Sequence, residues 1–210
     1  MVLAETDIQN LEKEYRRNFI NSLSGFKSAN LCGTKNEKGQ SNLSIISSVV
    51  HLGADPAMLG LVMRPPIVER HTFENIKETG FYTINHIHQN IYKAAHQTSA
   101  RYPREISEFE ATGLTEEYTN FFAPYVKESV VKIGMELLEI IPIKWNNTEF
   151  IIGKIVEIQL PDSIVSEDGL VNLAKAETIT CTGLDAYFTV SELSRLSYAK
   201  KDKTLTEIPF

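Results

Sequence analysis

Two long apolar segments joined by an asparagine pair constrain the fold of this chain more than any other feature of its sequence. The segments are SVVKIGMELLEIIPIKW at 129–145 and EFIIGKIVEIQLP at 149–161. The Asn-Asn pair at 146–147, placed between two apolar segments, is typical of a tight β-hairpin turn. Each segment also contains one glycine, Gly134 or Gly153, and an internal glycine often marks a bend in a curved strand. The pattern predicts a long antiparallel hairpin of the kind found in β-barrels.

The rest of the chain adds shorter strands with helices beside them. The predicted strands cover 27–34, 42–51, 57–64, 81–85 and 178–183, and the predicted helices cover 8–23, 72–79 and 89–100. A Pro65-Pro66 pair is predicted to end the strand 57–64, because proline cannot continue a hydrogen-bonded ladder. Strands and helices do not alternate regularly, which disfavours a doubly wound parallel sheet. The sequence therefore predicts a mainly β fold, a β-barrel with helices inserted at one side.

The length and composition of the chain exclude several classes of protein. With 210 residues, 42% hydrophobic and 23% charged, we expect one globular domain over 1–210, with the helix 8–23 as an appendage. A net charge of −6 argues against broad nucleic-acid binding. No apolar run approaches the roughly 20 residues of a membrane helix, and no signal-peptide pattern is present. Cys32 and Cys181 form no CxxC motif, so neither a disulfide framework nor a zinc site is predicted. A cytoplasmic protein without nucleic-acid or membrane partners is expected.

Hydroxyl and guanidinium side chains are concentrated between residues 41 and 86. In chain order they are Ser44, Ser47, Ser48, Arg64, Arg70 and Thr72. Arg70 and Thr72 stand at the start of the predicted helix 72–79, where the backbone N–H groups have no partner within the helix. Such N–H groups, with guanidinium and hydroxyl groups nearby, form a phosphate-sized anion site. The region predicts a phosphorylated cofactor rather than a nucleic-acid chain.

The same residues also have purely structural explanations. Serines near turns often satisfy backbone groups at strand ends. Thr72 is a good helix N-cap without any ligand. Arg64 and Arg70 could equally be solvated loop charges, since arginine is mostly exposed. The anion site is a hypothesis that depends on these residues being brought together.

Histidines and aromatic residues raise two further alternatives. His86 and His88 share one face of an extended segment and His96 follows on a helix, but no acidic or thiolate residue supports a zinc site, so no metal is predicted. In a barrel, His86, His96 or Tyr102 could instead line the substrate side of a cofactor. The aromatic cluster between 118 and 125 is predicted to be local core or a dimer contact in preference to a lid. Its members are Tyr118, Phe121, Phe122 and Tyr125.

The order of these features resembles the flavin-reductase-like family, whose members adopt an FMN-binding split barrel. The matching stretches are GQSNLSIISSV, the Asp55-Pro56 pair, RHTFENIKETGFYTIN, QTSARYPREISEFEATGLT and FIIGKIVEI. The resemblance implies a Greek-key-like split β-barrel that forms a homodimer and binds FMN non-covalently near the subunit interface. It also implies NADH or NADPH as electron donor and, for some members, a partner monooxygenase.

The resemblance also assigns site residues by position. Asn42 and Ser44 would lie beside the isoalloxazine, and Arg64 would be an extra contact for phosphate or ribityl oxygens. The residues that would hold the phosphate are Ser47, Ser48, Arg70 and Thr72. One position departs from the family pattern: His71 stands where some relatives have an aspartate before the threonine.

The predicted function is that of an NAD(P)H-dependent flavin oxidoreductase. No catalytic side chain is predicted, because bound flavin carries out the hydride chemistry and the protein positions it. The sequence contains no GxGxxG, Walker, HExxH or GxSxG pattern, so a nicotinamide would have to stack on the flavin rather than occupy a Rossmann fold. The alternatives are an FMN-binding electron carrier, a reductase component serving a monooxygenase, and a ligand-binding barrel without flavin.

Overall fold

The computed structural model describes residues 1–65 and 68–210, and most of its regular structure is antiparallel β-sheet. The helices are α1 (Glu5–Asn10), α2 (Lys13–Leu23), α3 (His71–Thr79), α4 (Tyr92–Gln97) and α5 (Glu108–Thr112). The strands are β1 (Lys27–Ser28), β2 (Asn30–Lys35), β3 (Ser41–Ile46), β4 (Val49–Ala54), β5 (Ala57–Met63), β6 (Phe81–His86), β7 (Glu116–Glu117), β8 (Tyr125–Val126), β9 (Lys132–Ile143), β10 (Thr148–Gln159), β11 (Thr180–Thr182), β12 (Ala186–Phe188), β13 (Arg195–Leu196) and β14 (Glu207–Ile208). No helix in the described ranges is both long enough and apolar enough to span a membrane.

The main sheet has seven strands in the order β3-β2-β6-β9-β10-β5-β4, and every neighbouring pair is antiparallel. The predicted long hairpin is confirmed: β9 and β10 each contain 12 residues. Asn147 in its turn has φ 57°, a left-handed conformation that asparagine tolerates well. The mainly β fold predicted from the sequence is therefore confirmed.

Glycines inside the hairpin make room for tyrosine hydroxyls. A Cβ atom at Gly153 would lie 2.1 Å from the Tyr82 hydroxyl, and one at Gly134 would lie 2.5 Å from the Tyr125 hydroxyl. The β9–β10 register also shifts between Ile152 and Gly153, as expected at a bulge. Both glycines thus permit close approach of a neighbouring side chain, and each lies at a register shift, since Gly134 pairs with Glu157 at a second shift.

Buried apolar side chains form two main clusters on opposite faces of β2 and β3. One lies beneath α3 and includes Cys32, Ile46, Leu61, Phe73, Ile76, Tyr82, Met135 and Ile151. The other lies beneath α4 and α5 and includes Leu31, Leu43, Ile87, Phe109, Val126 and Ile179. Because side chains alternate along a strand, β3 contributes Ile46 to the first cluster and Leu43 to the second.

The prediction of one continuous helix over 8–23 is wrong. Helix α1 ends at Asn10, and α2 begins at Lys13 after Glu12. The Glu12 carboxylate accepts hydrogen bonds from the backbone N–H groups of Glu14 and Tyr15, both at 2.9 Å, and so caps α2. These bonds, together with the charges and dipoles at the helix start, lower the pKa of Glu12. Neither helix contains a buried residue.

The prediction of one strand over 42–51 is also wrong, because the ladder breaks between β3 and β4. At the break, the Ser48 hydroxyl donates to the Val62 carbonyl at 2.8 Å and accepts from the Val62 N–H at 3.2 Å. A serine side chain thus replaces backbone pairing where the chain passes from one edge of the sheet to the other. Strand β5 ends at Met63, and Pro66 of the predicted Pro65-Pro66 strand break lies outside the described residues.

Candidate functional site

The start of α3 is the structural centre of the candidate site. Arg70 occupies the N-cap position, but its side chain does not cap the helix. Instead, the Glu74 carboxylate accepts from the Arg70 N–H at 3.2 Å, and Gly80 with φ 77° ends the helix. The first-turn N–H groups that follow Arg70 have no acceptor within the helix. They form an electropositive helix start suited to an anion.

Two predicted site residues meet at this helix start. Asn42 on β3 donates from Nδ2 to the Thr72 hydroxyl oxygen at 2.8 Å, and the two residues are only 6% and 5% exposed. Because Thr72 accepts from Asn42, its own hydroxyl proton remains able to donate to a ligand. Ser44 lies two residues after Asn42 and so projects from the same face of β3. Its hydroxyl makes no hydrogen bond to any described side chain or backbone group.

A group of arginines flanks the same helix start. The Arg70 guanidinium donates from Nε to the Pro65 carbonyl at 3.1 Å. Burial lowers the pKa of Arg70, and so do the charges of nearby Arg64 and Arg101. Of the residues described, none forms a carboxylate ion pair with any of these three arginines. Arg101 is a site candidate that the sequence analysis missed, because it belongs to a segment about 30 residues further along the chain.

Of the two remaining predicted phosphate ligands, Ser48 has a hydrogen-bond partner elsewhere in the fold, and Ser47 lies near Cys181. The Ser48 hydroxyl is used by both backbone groups of Val62. Burial raises the pKa of the Cys181 thiol, and the nearby Ser47 hydroxyl and Lys27 charge oppose that shift. The Ser48 side chain therefore has a structural partner, whereas Asn42 and Thr72 are held together at the helix.

A small polar cavity lies behind the helix start. It measures about 10 Å³, room for one water molecule, and Asn42, His71, Asn75 and Arg104 contribute to its wall. Asn75 donates to the Thr34 hydroxyl at 3.1 Å, but its own Oδ1 is buried without a partner. A buried carbonyl oxygen of this kind requires a donor, and a water in the cavity would supply it.

The three histidines weighed as a metal site point to different partners. His88 Nε2 lies 3.0 Å from the Glu128 carbonyl, and His96 Nδ1 lies 2.8 Å from the Tyr187 hydroxyl. Burial lowers the pKa of His86 to about 4, and its Nδ1 has no partner among the described residues. Across 1–65 and 68–210, no group of three or more His, Cys, Asp or Glu side chains has a metal-binding arrangement.

The aromatic cluster divides into a buried and an exposed part. Tyr125 is fully buried and its ring packs on Phe121 with centroids 5.8 Å apart. Tyr118 and Phe122 are 45% and 38% exposed, and the Lys35 ammonium lies over both rings at 4.7 and 4.5 Å. The buried part is local core, and the exposed part presents a cation–π arrangement at the surface.

The chain matches a family model and several solved structures. Residues 27–176 match the flavin reductase like domain. A protein from Shewanella frigidimarina NCIMB 400, described as a flavin reductase with a split barrel domain, is 54% identical over 95% of this chain and 100% of that chain, with TM-score 0.92. Nitrilotriacetate monooxygenase component B from Bacillus cereus is 17% identical over 92% and 96% of the two chains, with TM-score 0.80.

More distant relatives include an FMN-binding protein from Thermus thermophilus solved with bound 1-cyclohex-2-enone. It is 15% identical over 85% of this chain and 93% of that chain, with TM-score 0.68. A protein from Aquifex aeolicus is 28% identical over 123 residues, which is 58% of this chain and 62% of the length of that relative. The TM-scores of these solved structures agree with the mainly β fold described above. The chain belongs to the flavin reductase like family, and its seven-stranded sheet is a split barrel of the kind found in flavin reductases.

Proposed function

We propose that this protein binds FMN non-covalently and uses NADH or NADPH to reduce flavin or a small acceptor through it. The observation that carries the proposal is the donor set at the start of α3. There, Thr72 is held by Asn42 with its proton available, Arg70 is anchored by Pro65, and the first-turn N–H groups have no acceptor within the helix. Family membership and the FMN-binding neighbour support flavin as the ligand that presents a phosphate to these donors.

The residues present fit a phosphorylated flavin. A phosphate ester offers only acceptors and negative charge, and the site offers hydroxyl, guanidinium and backbone donors. We propose that Arg70 and Thr72 bind the phosphate, with Arg64 beside them, and that Asn42 and Ser44 lie along the flavin. Ser47 and Ser48 would lie beside the phosphate, with Ser48 contributing through its backbone groups because its side chain is engaged with Val62.

The protein's share of the chemistry is to position the flavin and exclude water. Bound flavin would supply the redox chemistry, taking up a hydride from the nicotinamide and a proton from solvent. No side chain needs to act as an acid or base in that step, so none is assigned a catalytic role. Arg70 and Thr72 fix the phosphate end and thereby the orientation of the rest of the cofactor.

We further propose a homodimer formed through the outer face of the sheet. Val62 on β5 and Ile141 on β9 flank Phe150 on β10 in register, and Val62 and Ile141 are 38% and 40% exposed. Val50 on β4 extends this apolar row and is 45% exposed. An exposed apolar row across several strands is typical of a surface that a partner covers.

Since the Bacillus cereus neighbour is a monooxygenase component, a monooxygenase that takes reduced flavin is a further proposed partner. The buried thiols of Cys32 and Cys181 are not paired, which favours a cytoplasmic setting.

The test begins with the absorption spectrum of the purified protein after incubation with FMN and gel filtration. We expect the bands of oxidised flavin, release of FMN identified by mass after denaturation, and anaerobic bleaching on addition of NADH or NADPH. A protein that stays colourless with saturating FMN and gives no heat of binding in calorimetry would contradict the proposal. Flavin that binds but is reduced only by a chemical reductant would show an electron carrier instead.

A further inference from the structure

A glutamate carboxylate lies at the start of α3, beside the proposed phosphate site. Glu74 Oε1 accepts from the Arg70 N–H at 3.2 Å, and the Glu74 N–H donates to the Arg70 carbonyl at 2.9 Å. The two residues are therefore joined through both backbone and side chain, so the position of Arg70 depends on that of Glu74. Arg70 is also a residue that we propose to bind the phosphate of FMN.

The negative charge of this carboxylate opposes the binding of a phosphate. Glu74 belongs to the first turn of α3, where a carboxylate stabilises the helix through the same dipole that attracts a bound anion. A phosphate bound by Arg70 and Thr72 would lie close to this carboxylate, and two anions that are close repel each other. The proposed site therefore requires that the charge of Glu74 is compensated.

Arg104 supplies this compensation from another segment of the chain, 30 residues further along. Its guanidinium forms an ion pair with Glu74 Oε2, the oxygen that the Arg70 N–H does not use. Lys77, the lysine of α3, lies over the Phe73 ring at 5.5 Å instead. Among the residues that the structure describes, no other cation forms an ion pair with Glu74.

The ion pair contributes little to the stability of the fold. The Arg104 and Glu74 side chains are 32% and 43% exposed, and ion pairs in such solvated positions have small stabilising effects. Arg104 also contributes to the wall of the small polar cavity behind the helix start, as does Asn42. It thus borders both the carboxylate at the helix start and the residue that holds Thr72.

We propose that Arg104 is a positioning residue of the phosphate site: it neutralises Glu74 and holds its carboxylate on the Arg70 N–H, so that the start of α3 can bind the phosphate of FMN. The inference rests on the proposed function and adds a residue that acts on the phosphate through Glu74. Riboflavin has no phosphate, so its affinity should not depend on this ion pair. The pair thereby sets the preference for phosphorylated over unphosphorylated flavin.

The Kd values for FMN and riboflavin, measured by fluorescence titration of each purified variant, test the proposal. In Arg104→Ala we expect the Kd for FMN to rise at least about fivefold, because an uncompensated carboxylate remains near the phosphate, while the Kd for riboflavin stays within about twofold. Arg104→Gln, which keeps much of the side-chain length, should behave in the same way, and Arg104→Lys should restore most of the affinity. The rise should shrink when salt is increased from about 0.05 to 0.5 M, since screening weakens the repulsion.

The Glu74→Gln background shows whether Arg104 acts through Glu74. Glutamine keeps an oxygen that can accept from the Arg70 N–H and removes the negative charge. Arg104→Ala should therefore change the Kd for FMN by less than about twofold in that background. Arg195→Ala is the matched control, because it also removes a partly exposed ion pair, with Asp168, and should leave the Kd for FMN unchanged. Each single arginine variant should lower Tm by no more than about 4 °C.

Three results would overturn the assignment. An unchanged Kd for FMN in both Arg104→Ala and Arg104→Gln would show that the ion pair does not influence the phosphate. Equal losses of affinity for FMN and riboflavin would show a purely structural role. An undiminished rise in the Glu74→Gln background would show that Arg104 attracts the phosphate directly. FMN binding by the wild type is measured first, so its absence would refute the proposed function, whereas FMN binding with any of these three results would refute only this inference.

Discussion

The Thr72→Val substitution tests whether the Thr72 hydroxyl binds the cofactor or only stabilises the fold. Valine keeps the volume and the branched shape of threonine and removes only the hydroxyl. Thr72 is 5% exposed, so the change is made inside the packed helix start. The variant removes the acceptor of the hydrogen bond from Asn42 Nδ2, which is 2.8 Å long in the native protein. It also removes the hydroxyl donor proposed for the phosphate.

The expected loss of stability follows from the fate of Asn42. Its Nδ2 would retain only the Thr34 hydroxyl at 3.5 Å, which is too long for a good hydrogen bond. A buried donor without a partner costs about 1–3 kcal/mol of the free energy of unfolding. For a chain of this size, each kcal/mol lowers Tm by about 2–4 °C, so Tm should fall by about 2–12 °C.

The expected loss of FMN affinity has a different origin. A charge-assisted hydrogen bond to phosphate contributes about 1.5–3 kcal/mol, so the Kd for FMN should rise roughly ten- to a hundredfold. Titration of FMN fluorescence measures the Kd, and thermal unfolding without FMN measures the stability. Thr72→Ser, which keeps the hydroxyl, should bind FMN within a few-fold of the wild type.

Thr79→Val is the matched control for Thr72→Val. Thr79 lies at the other end of α3, and its hydroxyl donates to the Asn75 carbonyl at 2.9 Å. This control also loses one hydroxyl bond from the same helix, but it should leave the Kd for FMN unchanged. If Thr72→Val lowered Tm and yet bound FMN as the wild type does, the Thr72 hydroxyl would be structural only, and the phosphate would have to bind elsewhere.

Two further predictions concern stability. Because burial lowers the pKa of His86 to about 4 from its ordinary value of 6.5, the unfolded chain takes up a proton on acidification before the folded chain does. Stability should therefore fall between pH 6.5 and 4, by up to about 2 kcal/mol at pH 5. Urea unfolding at pH 7 and pH 5 should show this loss in the wild type and a smaller one in His86→Phe; equal losses would contradict it. Gly33→Ala should lower the free energy of unfolding by about 3 kcal/mol, since its Cβ would lie 2.3 Å from the Pro124 carbonyl oxygen, which belongs to the backbone. A Gly33→Ala variant with the Tm of the wild type would show that this carbonyl can move.

Elements encoded by a local pattern could be predicted with nearly their observed bounds. The hairpin strands β9 and β10 follow from apolar runs and an asparagine turn, and α3 follows from helical spacing closed by Gly80. Each of these sequence patterns acts within a few residues, so no contact with a distant segment is needed to define the hairpin or the helix. The same holds for the anion-site hypothesis at Arg70 and Thr72, which a helix start alone suggests.

Breaks and edges could not be predicted, because their causes lie in other segments. Strand β3 ends before Ser48 because that hydroxyl pairs with the backbone of Val62, 14 residues away. The split between α1 and α2 depends on a glutamate cap at Glu12, which is less common than Ser, Thr, Asp or Asn at such positions.

The sequence by itself determined the mainly β character of this protein, its long hairpin and the neighbourhood of its candidate cofactor site, since turn chemistry and apolar periodicity act locally. Only the tertiary structure decided which side chains are available there. It ties Asn42 to Thr72 across 30 residues, engages Ser48 with Val62, and joins Arg104 to α3 through its ion pair with Glu74. The physical reason is that a hydroxyl or guanidinium becomes a ligand only when no partner in the fold already uses it, and those partners come from distant strands and loops.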